Sequence, residues 1–138
     1  MSVLRLAEQA VSDYPRVAKF WCIRGDLIQL APERYTLGRN DVLASYVMAL
    51  VLDTRFAEAY ESIGYFLDTY DDNFIIAEAA FRKAIKIRPT PDSYAGLARV
   101  LAEQHRSKEA LQILKRCPFS KNAKITELIQ EIKDGIWT

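Results

Sequence analysis

Apolar residues return at steps of three and four along nearly the whole chain, and no sustained apolar/polar alternation interrupts them. That period belongs to helices with one buried stripe and needs no strands. It breaks at Pro15 and over 32–40, 53–56, 70–73, 88–91, 104–107 and 117–120. Helices are therefore predicted near 2–13, 18–30, 41–53, 57–69, 74–87, 91–103, 107–116 and 121–134. The run Thr90-Pro91-Asp92 offers a capping oxygen, a proline where no N–H is needed and an acid at the positive end of a helix. Ser107, and Asp72 or Asn73, are read as further caps. Lys83, Lys86 and Arg88 crowd the last turns of their helix, where cations complement its negative end.

Comparing the chain with itself shows that the eight segments repeat in pairs. Tyr60, Ile63, Gly64 and Leu67 mark a first helix, and Ala77, Phe81 and Ala84 a second, closed by Pro89. Trp21, Gly25 and Ile28 answer to the first set and Val42, Tyr46 and Ala49 to the second, followed by Leu50-Val51-Leu52-Asp53-Thr54. Downstream, Tyr94, Leu97, Ala98 and Leu101 pair with Ala110, Leu114 and Cys117. This series resembles the tetratricopeptide repeat (TPR) family over about residues 1–118, with three degenerate units. Arg24 stands where that family has leucine, and alanine replaces glycine in the third unit.

The resemblance implies an all-α fold, a right-handed superhelical solenoid of α-α hairpins with about eight helices, in one domain over 1–138. A lone N-terminal helix at 1–15, marked by Val3, Ala7, Ala10 and Pro15, precedes repeats at 18–56, 57–90 and 91–118. A capping helix at 121–134, marked by Ile125, Leu128, Ile129 and Ile132, covers the terminal face. Gly64 against Ala77, and Gly25 against its partner helix, are expected to bring backbones close. Trp21, Tyr60 and Tyr94 are expected in equivalent surroundings.

Composition agrees with a folded domain: 50% hydrophobic and 27% charged residues over 138 positions suffice for a core without metal or disulfides. No apolar run reaches the roughly 18 residues of a membrane span, and Arg5 and Glu8 come too soon for a secretory leader. Cys22 and Cys117 lie far apart, so reduced thiols in the cytoplasm are expected and no zinc framework is. The net charge of +1 argues against a nucleic-acid binder. It conceals a division: residues 1–81 hold 7 Lys/Arg against 12 Asp/Glu, and residues 82–138 hold 12 against 6.

In the TPR family partners bind the concave surface of successive first helices. The resemblance places Lys19, Cys22, Asp26 and Gln29 there from the first unit, Glu58, Glu61, Tyr65 and Asp68 from the second, and Asp92 and Arg99 from the third. The acids at 58, 61 and 68 replace the cationic clamp with which some members hold a C-terminal carboxylate. A peptide or helix of another protein, basic or mixed in charge, is therefore the expected partner, and the chain reads as an adaptor or scaffold. Two other readings stay open: an inhibitor or immunity-type protein that occludes another protein's surface, and a self-associating subunit, in which the acidic part of one copy meets the basic part of another. An enzyme is not expected, nor a cofactor or metal. The single histidine, His105, lies in a turn, Cys22 has no recognisable base, and Asp68, Asp71 and Asp72 lack the spacing of a calcium loop. The long connection at 32–40, with Arg34, Tyr35 and Arg39, is either an extension of the groove or a tolerated insertion.

Overall fold

The computed structural model describes residues 2–30 and 37–137. Among these residues there are eight helices and no strand: α1 (Val3–Asp13), α2 (Ala18–Leu30), α3 (Arg39–Leu52), α4 (Ala57–Asp71), α5 (Phe74–Ile87), α6 (Pro91–Glu103), α7 (Ser107–Arg116) and α8 (Ala123–Lys133). None is long and apolar enough to cross a membrane. The connection expected at 32–40 lies outside the described residues up to Thr36, and Arg34 and Tyr35 with it, whereas Arg39 already belongs to α3.

Local chemistry sets the helix ends. Thr90 and Ser93 exchange backbone N–H and side-chain hydroxyl bonds, both of 3.0 Å, at the start of α6, a reciprocal cap. Asn73 accepts the Ile76 N–H and caps α5, whereas Asp72 takes a left-handed backbone with φ 48° and is no cap. Ser107 is no cap either. It sits inside α7, behind Arg106, and its buried hydroxyl has no hydrogen-bond partner among the described residues. Two helices outrun their expected bounds or fall short of them for visible reasons. Asp41 accepts the Gly38 N–H at 2.7 Å and pulls the start of α3 back to Arg39; Asn122 accepts the Lys124 N–H at 2.9 Å and delays the start of α8.

The chain forms two compact units, Met1–Ser62 and Ile63–Thr138, whose boundary falls within α4. In the first, α1 packs on α2 and α2 on α3. Ile28, Val42, Tyr46 and Ala49 are fully buried there or nearly so. A Cβ added at Gly25 would lie 2.6 Å from the Tyr46 ring, so only glycine allows that approach. Arg24, the departure from the TPR pattern, holds three helices: its guanidinium pairs with Glu8 of α1 and donates to the buried Ser45 of α3 at 2.6 Å.

In the second unit Phe81 is the centre of the core and is wholly buried. A Cβ at Gly64 would meet its ring at 2.8 Å, and one at Gly96 would come closer still. The nearest neighbour of a side chain at Gly64 is therefore this ring. Gly96, which sequence reading passed over, is the tighter of the two sites. Leu101, Ala98, Leu114, Ile125 and Ile132 extend the core through α6, α7 and α8. Trp21, Tyr60 and Tyr94 are all half-buried.

The turn between α6 and α7 closes with Arg106 N–H donating to Leu101 O and His105 N–H to Ala102 O, both at 2.9 Å. This terminator needs a left-handed residue, and His105 supplies it at φ 63°. His105→Gly is expected to raise stability by about 0.5–1 kcal/mol, because relief of the left-handed backbone exceeds the extra entropy of unfolded glycine. Gly96→Ala is expected to lower it by about 1–3 kcal/mol, since a ring gripped from two sides has nowhere to move and the roughly 1 kcal/mol of helix propensity gained is smaller. Urea titrations of the two variants decide.

Candidate functional site

Five of the residues expected to bind a partner come together in the first unit. Lys19, Cys22 and Asp26 from α2, and Glu58 and Glu61 from α4, line one cleft of about 210 Å³, with Ile23, Phe56 and Ser62 completing its wall. Lys19, Cys22, Ile23 and Asp26 recur at steps of three and four, which sets them on one helical face. Ile23, Phe56 and Ser62 were missed; Ser62 stands four residues after Glu58, a spacing that would have found it. Gln29, the sixth expected residue of this unit, does not line the cleft. It donates to the Tyr46 hydroxyl at 2.6 Å, and that hydroxyl donates to Asp26 at 2.6 Å.

The cleft is acidic, with Asp26, Glu58 and Glu61 in its lining. Burial, and then the negative charge of Asp26, push the Cys22 thiol up to about 12, with Glu58 and Glu61 adding to the rise and a contact with Ser62 opposing it. Its sulfur lies 3.9 Å from the Ser62 hydroxyl. A thiol so disposed stays protonated near neutral pH, which disfavours attack by its sulfur. Burial also raises the Tyr46 phenol, reinforced by its bond to Asp26.

In the second unit Tyr65, Asp92 and Arg99 form a network, and Asp68, the fourth remaining residue, meets Glu103. Tyr65 donates its hydroxyl to the Asp92 carbonyl at 2.5 Å and sets its ring edge-on against Phe81 at 4.9 Å. Arg99 lies over the Tyr65 ring at 5.2 Å and over Trp137 at 5.3 Å, a cation held between two aromatic faces. The Asp92 carboxylate is paired with Lys124. A second cleft of about 210 Å³ is lined by Arg99, Lys124, Glu127, Glu131 and Trp137 with Ala95 and Leu128. Trp137 donates its indole N–H to Glu131 at 2.8 Å. Sequence reading missed Glu103, Lys124 and Trp137; Glu103 follows Arg99 by one helical turn, but nothing local ties Trp137 to either.

Asp68 faces Glu103. Each has a buried carboxyl oxygen without a partner while both are charged, and a proton on Glu103 donated to Asp68 satisfies the two at once. Burial, followed by that hydrogen bond and the charge of Asp68, raises Glu103 to about 8; Arg99 opposes the shift and Asp72 adds to it. Glu78 behaves in the opposite way. Burial alone would raise it, but hydrogen bonds from Gln104, Arg106 and Arg82 outweigh burial and hold it below the usual carboxylate range. Its carboxylate accepts from Gln104 at 3.0 Å, Arg106 at 2.7 Å and Arg82 at 3.0 Å.

Among the described residues no group of three or more His, Cys, Asp and Glu side chains could hold a metal ion. His105 is exposed in its turn, and the Cys117 thiol donates to the Leu114 carbonyl at 3.3 Å.

The raised Glu103 makes stability pH-dependent with a definite sign. The folded chain keeps this proton to about pH 8, whereas the unfolded chain releases it near about 4.3. The Glu103 contribution is thus complete below the lower value and is withdrawn as pH rises toward the upper one. Glu103→Gln, which stays neutral and can still donate to Asp68, is expected to lie close to the parent in urea at pH 4 and to exceed it by a growing margin up to pH 9. Parallel pH profiles for the two proteins would dispose of the shared proton.

No protein-family model matches the chain, and no curated protein matches it. Among solved structures, it is similar to a crystal structure described as a thermophilic TPR protein in Thermus thermophilus, with a TM-score of 0.75 and 19% identity over 98% of this chain and 72% of that one. At that identity the likeness is one of fold. The chain has an all-helical, TPR-like repeat fold.

Proposed function

We propose that the chain is a protein-interaction module, built of three TPR-like units at 18–56, 57–90 and 91–118, that holds a basic or mixed-charge segment of a partner protein. The observation that carries this reading is the cleft of Lys19, Cys22, Asp26, Glu58 and Glu61. Three carboxylates around a half-apolar wall suit a lysine or arginine whose stem lies on Ile23 and Phe56 while its charge meets the acids. Lys19 at the rim selects against partners that carry only positive charge. Tyr65, Asp68, Asp92 and Arg99 supply a second set of contacts in the same reading.

The module is non-catalytic in this proposal. A Cys22 thiol raised to about 12 supports that reading. Both cysteines are free, which agrees with a reducing, cytoplasmic setting.

Charge reversal tests the cleft without touching the core. Glu58→Lys with Glu61→Lys is expected to weaken capture of the partner from the cells that make this protein by at least about tenfold, and raising salt is expected to weaken capture by the unaltered protein. Tyr65→Ala is unsuitable, because that ring packs on Phe81; Tyr65→Phe removes the hydroxyl alone. Unchanged capture by a double variant with an intact helical circular dichroism spectrum would sink the assignment of the cleft.

A further inference from the structure

The segment after α8 turns back toward α6. Gly135 takes the left-handed backbone at φ 77°; its N–H donates to the Ile132 carbonyl and the Ile136 N–H to the Glu131 carbonyl, both at 3.1 Å. Such a terminator ends a helix and redirects the chain, and glycine makes it without strain. Ile136 is left 63% exposed, whereas the next residue, Trp137, is half-buried and lines the cleft of Arg99, Lys124 and Glu131. Two contacts seat its ring. The indole N–H donates to Glu131 at 2.8 Å, and the ring lies 5.3 Å from the Arg99 guanidinium, which Tyr65 also meets at 5.2 Å.

The fit is incomplete in two respects. Arg99 Nε is closed to solvent and has no hydrogen-bond partner among the described residues, and an indole, a donor only, cannot supply one. The cleft also keeps about 210 Å³ of open space beside the ring. A side chain placed for packing alone fills its cavity, and a buried donor left unpaired is costly.

We propose that the cleft between α6 and α8 is a binding site for an aromatic residue of a partner protein, and that Trp137 is its internal occupant, displaced when the partner binds. The occupant defines the ligand. It needs a flat ring to lie on a guanidinium, an N–H or O–H for Glu131 and, what Trp137 lacks, a carbonyl to accept from Arg99 Nε. A tryptophan or tyrosine within a peptide carries all three. The partner's apparent affinity is lowered by the fraction of molecules in which Trp137 is seated, so the segment sets a threshold for binding. The inference rests on the reading of Arg99 as a partner contact, but not on the acidic cleft of the first unit, with which this one shares no residue.

Titration of isotope-labelled protein with N-acetyl-L-tryptophanamide, followed by NMR at Arg99 Nε–H and the backbone amides of α6 and α8, tests the proposal. Trp137→Ala is expected to bind this probe with a Kd near about 1 mM, at least about tenfold tighter than the parent, whose own ring holds the place. N-acetyl-L-leucinamide, which has the carbonyls but no ring, is expected to show no such gain. Adding Arg99→Met to Trp137→Ala is expected to remove the gain, and Glu58→Lys with Glu61→Lys to leave the titration unchanged, so that failure of either cleft is seen separately. Gly135→Val strains the left-handed turn while every cleft residue is kept, and is expected to tighten binding of the indole in the same direction. Equal binding by the parent and Trp137→Ala, an equal gain for the leucine probe, or a gain that survives without Arg99 overturns the proposal. Should Trp137→Ala lose helicity, Gly135→Val decides, and binding equal to the parent's overturns it.

Discussion

A benzyl ring wedged between two glycines governs the second unit. Phe81 can lie between α4 and α6 only because Gly64 and Gly96 offer it bare backbone, and the ring in turn fixes how near those helices stand to α5. The consequence reaches the polar surface. Tyr65 is held edge-on by Phe81, so its hydroxyl meets the Asp92 carbonyl and its face is left for Arg99. A packing decision at one small residue thereby sets the position of a cation more than one helical turn away. Gly25 and Tyr46 repeat the device in the first unit, where the ring carries a hydroxyl that holds Asp26 and Gln29.

Side chains that answer to period and capping were legible without coordinates. All eight helices follow from the three-and-four recurrence, and the ends at Thr90 and Asn73 follow from side-chain oxygens placed before apolar runs. Other features depend on partners far along the chain, and no local pattern encodes them. Gly96 looks like an isolated glycine until Phe81 is seen against it, and Trp137 finds Arg99 across 38 positions of sequence. Ser107 shows the limit of a residue-type rule: a serine before a helical run is a good cap only if the backbone leaves it outside the helix, and here the terminator built on His105 uses up the turn and draws Ser107 in. The cleft was half legible, since spacing along α2 and α4 gathers its polar residues. Its apolar floor comes from Phe56 in a turn, where periodicity has nothing to say.

Two half-buried glutamates show why burial alone does not decide charge. Glu78 and Glu103 both lose solvation, yet one is held ionised and the other is kept protonated. The difference is the supply of donors. Glu78 receives three, two of them from guanidinium groups, and this outweighs desolvation. Glu103 faces another acid and shares Arg99 with two aromatic rings that already engage it, so a proton is the cheaper neutraliser. Fixed ion pairs occupy one place and a shared proton the other, and neither glutamate therefore offers a bare carboxylate to a cation from outside.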